Sequence, residues 1–278
     1  MVYGIIGMIN FAHGEIYMIG AFVSLLVITL LASIGLPIWL VIVLALLISA
    51  AVTALYGMAV ERVAYRPLRL KGAPRLVPLI TAIGMSIFLT NYVQLGHGAR
   101  DFSFPQLIPG GINFGIYGDT VRLSYTRLLV LVTTLVMMTA LSLFIRKSRT
   151  GKACRACSQD IQMAGLLGID TNKIVTITFI IGAILAAVGG LLIGLVIGKI
   201  NPYMGFIAGM KAFTAAVIGG IGSVPGAMLG GLLLGLVETF AADLLPGEYK
   251  DMVTFSLLMF ILLVRPTGLL GKPDIDKV

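Results

Sequence analysis

Long, almost uncharged apolar runs dominate this chain of 278 residues. Runs such as 36–60, 128–145 and 174–197 approach or exceed the roughly 20 residues that an α-helix needs to cross a hydrocarbon layer of about 30 Å. Transmembrane strands would alternate apolar and polar residues over about 10 positions, and these runs do not alternate. The sequence therefore predicts an all-α fold, a polytopic bundle of transmembrane helices.

The composition excludes a water-soluble domain. Charged residues make up 12% of the chain and hydrophobic residues 58%, whereas soluble domains are roughly a quarter charged. Nothing in the chain marks a linker or a shift in composition. We therefore expect one membrane domain over residues 1–278.

The net charge of +8 is concentrated in three short basic clusters. Such clusters beside membrane spans orient a protein with its basic loops in the cytoplasm, and this explains the charge better than nucleic-acid binding does. The same rule predicts a cytoplasmic C-terminus. The clusters are Arg62, Arg66, Arg69, Lys71 and Arg75; Arg146, Lys147, Arg149, Lys152 and Arg155; and Arg265, Lys272 and Lys277.

Eight crossings place every basic cluster on one side of the membrane. Two of them, 205–221 and 249–264, are glycine-rich or short and could be re-entrant or tilted half-helices. The loop 96–125, rich in glycine, proline and aromatic residues, predicts an ordered cap or β-like lid. The predicted crossings are 15–34, 37–60, 76–95, 127–145, 174–197, 205–221, 224–240 and 249–264.

Polar or glycine-rich residues interrupt the apolar pattern at 10–15 and again at 219–227. Paired interruptions in two halves of a transporter indicate an internal repeat with the solute pathway between the halves; two ordinary tight turns at the membrane surface are the alternative. A further turn after residue 197 could form a pathway mouth. The candidate pathway residues are Asn10, His13, Gly14, Glu15, Asn201, Gly222 and Ser223.

Residues 151–174, which we call the polar segment, form a polar stretch between two apolar runs. If 154–164 is one helix, four apolar side chains fall on a single narrow stripe, and that stripe needs a surface to cover it. The surface could belong to a soluble partner or to lipid headgroups. The stripe residues are Cys154, Cys157, Ile161 and Ala164.

Cys154 and Cys157 also form a C-x-x-C pattern. A structural zinc site usually needs four ligands, and the chain has no other cysteine and only two histidines, both distant in sequence. A redox dithiol usually occurs in a βαβ context. We therefore expect the thiols to act as small packing residues and predict no metal site.

The sequence also limits how transport could be driven. It contains no G-x-x-x-x-G-K-[ST] loop for ATP. Its apolar runs lack the clustered carboxylates that proton- or sodium-driven carriers often have. Energy must therefore come from another protein, which predicts a soluble partner at the polar segment.

Four stretches, in order along nearly the whole chain, resemble permease subunits of bacterial branched-chain amino acid ABC importers. They read YGIIGMINFAHGE at 3–15, ERVAYRPLR at 61–69, GLLGID at 165–170 and AVIGGIGSVPGA at 216–227. The resemblance implies a transport protein of the bacterial inner membrane, without catalytic residues of its own. It also implies an additional helix before residue 3, and the chain departs from the family pattern there.

The resemblance implies further components and a mechanism. The components implied are a second permease, two cytoplasmic ATPases that use ATP and Mg, and a periplasmic or lipid-anchored binding protein that delivers Leu, Ile or Val. No cofactor is implied for this chain itself. The polar segment is similar to a coupling helix that docks on the ATPase, and Arg155 and Asp160 are our choices for its polar contacts. The coupling residues implied are Arg155, Cys157, Asp160, Ala164, Gly165 and Gly168.

Two other functions are compatible with this sequence. A permease for urea or short amides would share most of the architecture. A secondary carrier or channel without ATPases is more distant, since it would have no use for a docking segment.

Overall fold

The computed structural model describes residues 10–74, 76–116, 119–246, 249–265 and 267–271. Residues 3–9 of the YGIIGMINFAHGE motif, Arg75, Lys272 and Lys277 lie outside the described residues. The expectations placed on them remain predictions.

All eight predicted crossings occur as helices. Among the described residues, six helical spans are long and apolar enough to cross a membrane. One of them runs from Ile38 to Leu70. The helices of the two weaker predictions, Met204–Gly219 and Lys250–Val264, have 16 and 15 residues. The bundle helices are α1 (Ala12–Ala32), α2 (Ile38–Val60), α4 (Leu76–His97), α5 (Tyr125–Lys147), α8 (Thr171–Ile197), α9 (Met204–Gly219), α10 (Val224–Leu244) and α11 (Lys250–Val264).

Short helical pieces connect the longer helices. A π-helical segment, Glu61–Tyr65, continues α2 and runs into α3 (Arg66–Leu70). The polar segment contains α6 (Arg149–Gln159) and α7 (Ile161–Leu166). The fold is therefore an all-α polytopic bundle, as predicted.

Short strands in the loop after α4 confirm the predicted β-like lid. Strand β2 (Gly111–Ile116) pairs antiparallel with β3 (Asp119–Ser124), so that Gly111 lies opposite Ser124. Strand β1 (Phe102–Ser103) pairs with β4 (Lys199–Ile200) after α8. This pairing joins the ends of α4 and α8, and we call this end of the bundle the cap end. We call the opposite end, where α2 ends and α8 begins, the polar-segment end.

Helix α1 lies at the centre of the bundle and packs against α2, α4, α8 and α9. Small residues allow these close approaches: a Cβ on Gly20 would lie 2.6 Å from Ala187 Cα, and one on Gly190 would lie 2.5 Å from Tyr17 O. Because lipid tails are as apolar as leucine, helices associate in membranes through such tight packing. The glycines therefore hold α1 against α8.

Helices α9, α10 and α11 form a second group with a small apolar cluster of its own. Lys211 of α9 pairs with Glu238 of α10 at 2.6 Å and with Asp251 of α11 at 2.8 Å. The Thr254 hydroxyl donates to the Glu238 carboxylate at 2.8 Å. Because Lys211 and Glu238 lie in or near predicted spans but close to helix ends, the sequence favours structural roles for them. The ion pairs across three helices agree with that prediction, since a charge in hydrocarbon is less costly when it has a partner.

Both predicted interruptions are shorter than expected. Helix α1 already begins at Ala12, so His13, Gly14 and Glu15 are helical. Helix α10 begins at Val224, and only the turn after Gly219 is irregular. A proline near a helix start is favourable, because its missing N–H has no helical partner there, and this is why Pro225 starts α10 instead of interrupting it.

Candidate functional site

The polar segment consists of two helices at an angle rather than the single helix predicted over 154–164. Asp160 separates them with φ −157° and ψ 110°. Its Oδ1 accepts hydrogen bonds from Gln162 N and Met163 N, both at 2.9 Å. An aspartate in this position satisfies N–H groups that have no partner in a first helical turn. The prediction of one helix is wrong because Asp160 starts a second helix.

Further caps fix both ends of the polar segment. Ser148 Oγ accepts from Gly151 N at 2.8 Å and starts α6. Gly168 has φ +84°, a left-handed conformation that glycine adopts without strain, and the turn there lets Ile169 N donate to Ala164 O at 3.0 Å. Asp170 Oδ1 then accepts from Lys173 N at 3.0 Å and caps α8.

The apolar stripe of the polar segment is covered by the chain itself. Cys154, Cys157 and Ala164 are buried, and Ile161 packs against the same core. Helix α6 contacts α5 and α8. The expectation that the stripe would need a partner protein or lipid to cover it is therefore wrong, because α5 and α8 supply that surface.

The two thiols are free and buried, as the packing prediction requires. Cys154 Sγ lies 3.7 Å from Thr178 Oγ1 of α8. Burial, reinforced by the neighbouring Cys154, raises the pKa of the Cys157 thiol. A protonated thiol is a poor metal ligand and a poor nucleophile, so Cys157 is suited to packing.

The exposed surface of the polar segment carries a different set of apolar residues. Met163 is 58% exposed, Leu166 82% and Leu167 80%. We call these three residues the apolar tip. Asp160, which accepts a hydrogen bond from Met163 N, and Arg155 are also exposed. An exposed apolar patch in such a polar segment is typical of a protein contact site.

The apolar tip could have been found in the sequence. Met163, Leu166 and Leu167 do not belong to the stripe of the predicted helix, and in a segment this polar they have nothing else to pack against. Of the predicted coupling residues, Arg155, Asp160, Gly165 and Gly168 are exposed, whereas Cys157 and Ala164 face the interior.

The predicted pathway residues near the start of α1 form a buried polar cluster. The Tyr65 hydroxyl donates to Asn10 Oδ1 at 2.7 Å. The Ser86 hydroxyl of α4 donates to Glu15 Oε1 at 2.9 Å, and Glu15 is fully buried. A Cβ on Gly182, the middle of α8, would lie 3.3 Å from His13, so this cluster lies within the bundle rather than at its surface.

The first two turns of α9 approach the same cluster. A Cβ on Gly209 would lie 3.2 Å from Gly14 Cα, and Gly205 contacts the Glu15 carboxylate. Helix N-termini carry a partial positive charge that favours a nearby carboxylate. The structure thus brings Asn10, His13, Gly14 and Glu15 together at the contacts of α1 with α4, α8 and α9.

The other predicted pathway residues lie in turns. Asn201 Oδ1 accepts from Tyr203 N at 3.0 Å in the turn before α9. Gly222 has φ +89°. Ser223 Oγ accepts from Gly226 N at 3.1 Å and caps α10. Asn201 and the pair Gly222 and Ser223 therefore lie at opposite ends of α9, and the structure does not bring them together.

Among the described residues, no group of three or more histidine, cysteine or acidic side chains is arranged to hold a metal ion.

Comparison with known proteins identifies the family. The family model described as "Branched-chain amino acid transport system / permease component" matches residues 1–262. The chain is 55% identical to the high-affinity branched-chain amino acid transport system permease protein BraD of Pseudomonas aeruginosa, over 100% of this chain and 91% of BraD. It is 52% identical to the corresponding permease proteins LivH of Escherichia coli and of Salmonella typhimurium, over 100% of this chain and 90% of each relative. No solved structure gives a significant match. The chain therefore belongs to the family of permease components of branched-chain amino acid transport systems.

Proposed function

We propose that this chain is the membrane permease through which an ATP-driven importer moves leucine, isoleucine and valine into the cytoplasm. The observation that carries the proposal is the identity of 52–55% over the whole chain to permeases named for these solutes. The chain is a multi-pass membrane transport component and not an enzyme. As a permease of this family it works with ATP-binding and substrate-binding components.

The apolar tip is our proposed contact with an ATP-binding component. Met163, Leu166 and Leu167 are exposed, while the stripe behind them packs on α8. Movement of the tip would therefore reach α8 through buried contacts such as Cys154 with Thr178. Arg155 and Asp160 are the polar contacts that we propose, and Asp160 also holds α7 in place through its two hydrogen bonds.

The assembly that we propose contains a second permease, two ATP-binding components at the cytoplasmic face and one substrate-binding protein at the other face. The exposed basic residues Arg62, Lys147 and Arg155 all lie at the polar-segment end. The positive-inside rule supports placing this end, and with it the C-terminus, in the cytoplasm of an inner-membrane protein.

Solute competition in reconstituted vesicles tests the proposal. The chain, assembled with its cognate components, should take up labelled leucine only when ATP is supplied on the side of the polar segment. Excess isoleucine and valine should suppress uptake, and urea and acetamide should not. Suppression by urea or acetamide would favour the amide permease instead, and uptake without ATP would favour a secondary carrier.

A further inference from the structure

A second feature at the polar-segment end is a basic cavity between the π-helical segment and the start of α8. Its volume is about 320 Å³. We call it the basic pocket. Its lining residues are Arg62, Arg66, Asp170, Asn172, Lys173, Thr176 and Ile177.

The basic pocket has an excess of positive charge. Three cations, Arg62, Arg66 and Lys173, face it with one carboxylate, Asp170. That carboxylate already accepts the Lys173 backbone N–H at 3.0 Å. In the part of the chain that the structure describes, no acidic side chain lies within ion-pair distance of any of the three cations.

Glu61, beside the pocket, does not supply the missing negative charge. It is fully buried, and its Oε1 pairs with Arg69 at 3.0 Å. Its Oε2 accepts the Thr176 hydroxyl at 3.0 Å, and Arg69 also donates to Asn172 Oδ1 at 2.9 Å. This network fixes the walls of the pocket and leaves its three cations free for an anion.

The backbone around the pocket also favours an anion. Asn172 and Lys173 lie in the first turn of α8, where the helix dipole attracts negative charge. On the other wall, Arg62 lies within the π-helical segment and Arg66 follows it directly, four positions further along the chain. Such segments often occur at functional sites, and this one places two arginines opposite the start of α8.

An exposed apolar surface leads away from the pocket into the membrane-spanning part of α2. Leu55 is exposed and lies two helical turns before Arg62, and Ala59 is exposed between them. Ile177 adds an apolar side chain to the pocket wall. An occupant with an anionic head and an apolar chain matches both surfaces, whereas a small soluble anion matches only the cations.

We propose that the basic pocket binds the phosphate headgroup of an anionic phospholipid, with an acyl chain lying along the exposed side of α2. Basic pockets between helices on the cytoplasmic side of membrane proteins bind such headgroups. The proposal is independent of the transported solute and of ATP coupling, so that its failure and that of the proposed function can be told apart.

Native mass spectrometry of the full-length chain in detergent tests the proposal. Phosphatidylglycerol and phosphatidylcholine are titrated separately, and inorganic phosphate is added as a competitor. The pocket variant is Arg62→Gln, Arg66→Gln, Lys173→Gln. The control variant, Arg146→Gln, Lys147→Gln, Arg149→Gln, removes three exposed cations at the same end of the bundle that do not line the pocket. Thermal melting in phosphatidylcholine alone shows that both variants are folded.

We expect the parent chain to bind phosphatidylglycerol at least about tenfold more tightly than phosphatidylcholine. The pocket variant should lose on the order of 100-fold in this affinity, about fivefold for each basic residue, and the control variant should keep it. Retention of the lipid after the ATP-binding component is added would support the proposal further.

Three results would overturn the proposal. Equal affinity of the parent chain for both lipids would show that the pocket does not distinguish lipids by the charge of their headgroups. Full displacement of the lipid by inorganic phosphate would identify a site for a soluble anion. Displacement of the lipid by the ATP-binding component would identify the pocket as a protein contact.

Discussion

At the scale of single residues, glycines decide how closely the helices of this bundle can pack. Gly20 on α1 faces the backbone of Ala187 on α8. Gly84 on α4 is also helical, but beyond its chain neighbours and the adjacent backbone of its own helix no heavy atom lies within 4 Å of the place where its Cβ would be. The two positions differ in packing alone and therefore form a matched pair.

Gly20→Ala should destabilise the protein, because the new methyl group would meet backbone that cannot move independently. Overpacking of this kind costs about 1–3 kcal/mol, and the thermal midpoint in detergent should fall by several degrees. Gly84→Ala should leave the midpoint unchanged or raise it, since alanine is favoured over glycine in a helix by about 1 kcal/mol. Equal midpoints for the two variants would show that the approach of α1 to α8 is looser than described.

Glu61 and Arg69 form an ion pair that is largely buried in the bundle. Glu61 is fully buried, and the Arg69 side chain is 16% exposed. Removal of one partner from a buried pair leaves an uncompensated charge and costs about 3–5 kcal/mol. The exposed pair of Lys199 with Asp101, at 3.7 Å, provides a control.

A double-mutant cycle on this pair should show strong coupling. Glu61→Gln alone should lower the free energy of unfolding by roughly 3 kcal/mol. In the Glu61→Gln background, Arg69→Gln should lower the free energy of unfolding much less than it does in the parent chain. The reason is that Glu61→Gln has already left the Arg69 cation without its partner. The same cycle on Asp101→Asn and Lys199→Gln should give a coupling free energy between zero and about 1 kcal/mol. Additive effects at Glu61 and Arg69 would contradict the buried pairing.

At the scale of elements, one aspartate converts the predicted single helix into α6 and α7. The apolar spacing of Cys154, Cys157 and Ala164 correctly indicated a buried stripe, since it depends only on helical periodicity. The break could not be derived from that spacing, because it depends on a cap at Asp160. The partner of the stripe was also unpredictable, because helix packing within the chain is a tertiary property.

Asp160→Ala should loosen α7 without unfolding the bundle. Loss of an N-cap costs about 1 kcal/mol, so hydrogen exchange of the amides at 162–168 should accelerate roughly fivefold. Asp160→Asn keeps an oxygen acceptor and should retain most of the protection. If both variants exchanged like the parent chain, the cap would not stabilise α7, and Asp160 would be a surface residue only.

At the scale of the whole molecule, the sequence predicts the fold class, all eight helices and the β-like lid, because long apolar runs and turn residues are local signals. It does not predict which polar residues meet. Lys211, Glu238 and Asp251 are far apart along the chain and pair only because α9, α10 and α11 pack together. The apolar tip was missed although the sequence carried a signal for it, because three apolar residues lie outside the predicted stripe of a very polar segment.

In the proposed mechanism, an ATP-binding component moves α8 by pushing on the apolar tip. The measurement that tests it most directly is ATP-driven leucine uptake by the reconstituted importer, with ATP hydrolysis recorded in the same vesicles. The test variant is Leu166→Ser, Leu167→Ser. The control, Leu95→Ser, Leu244→Ser, changes leucines outside the polar segment that are 89% and 79% exposed, comparable to the tip leucines.

We predict that leucine uptake by the tip variant falls at least about tenfold and that less of the ATP-binding component co-purifies with it. The reason is that each exposed leucine contributes on the order of 1 kcal/mol or more to binding when a contact buries it. The control variant should retain both uptake and co-purification. Uptake by the tip variant at the parental rate, with the ATP-binding component still bound, would contradict the coupling role of the apolar tip.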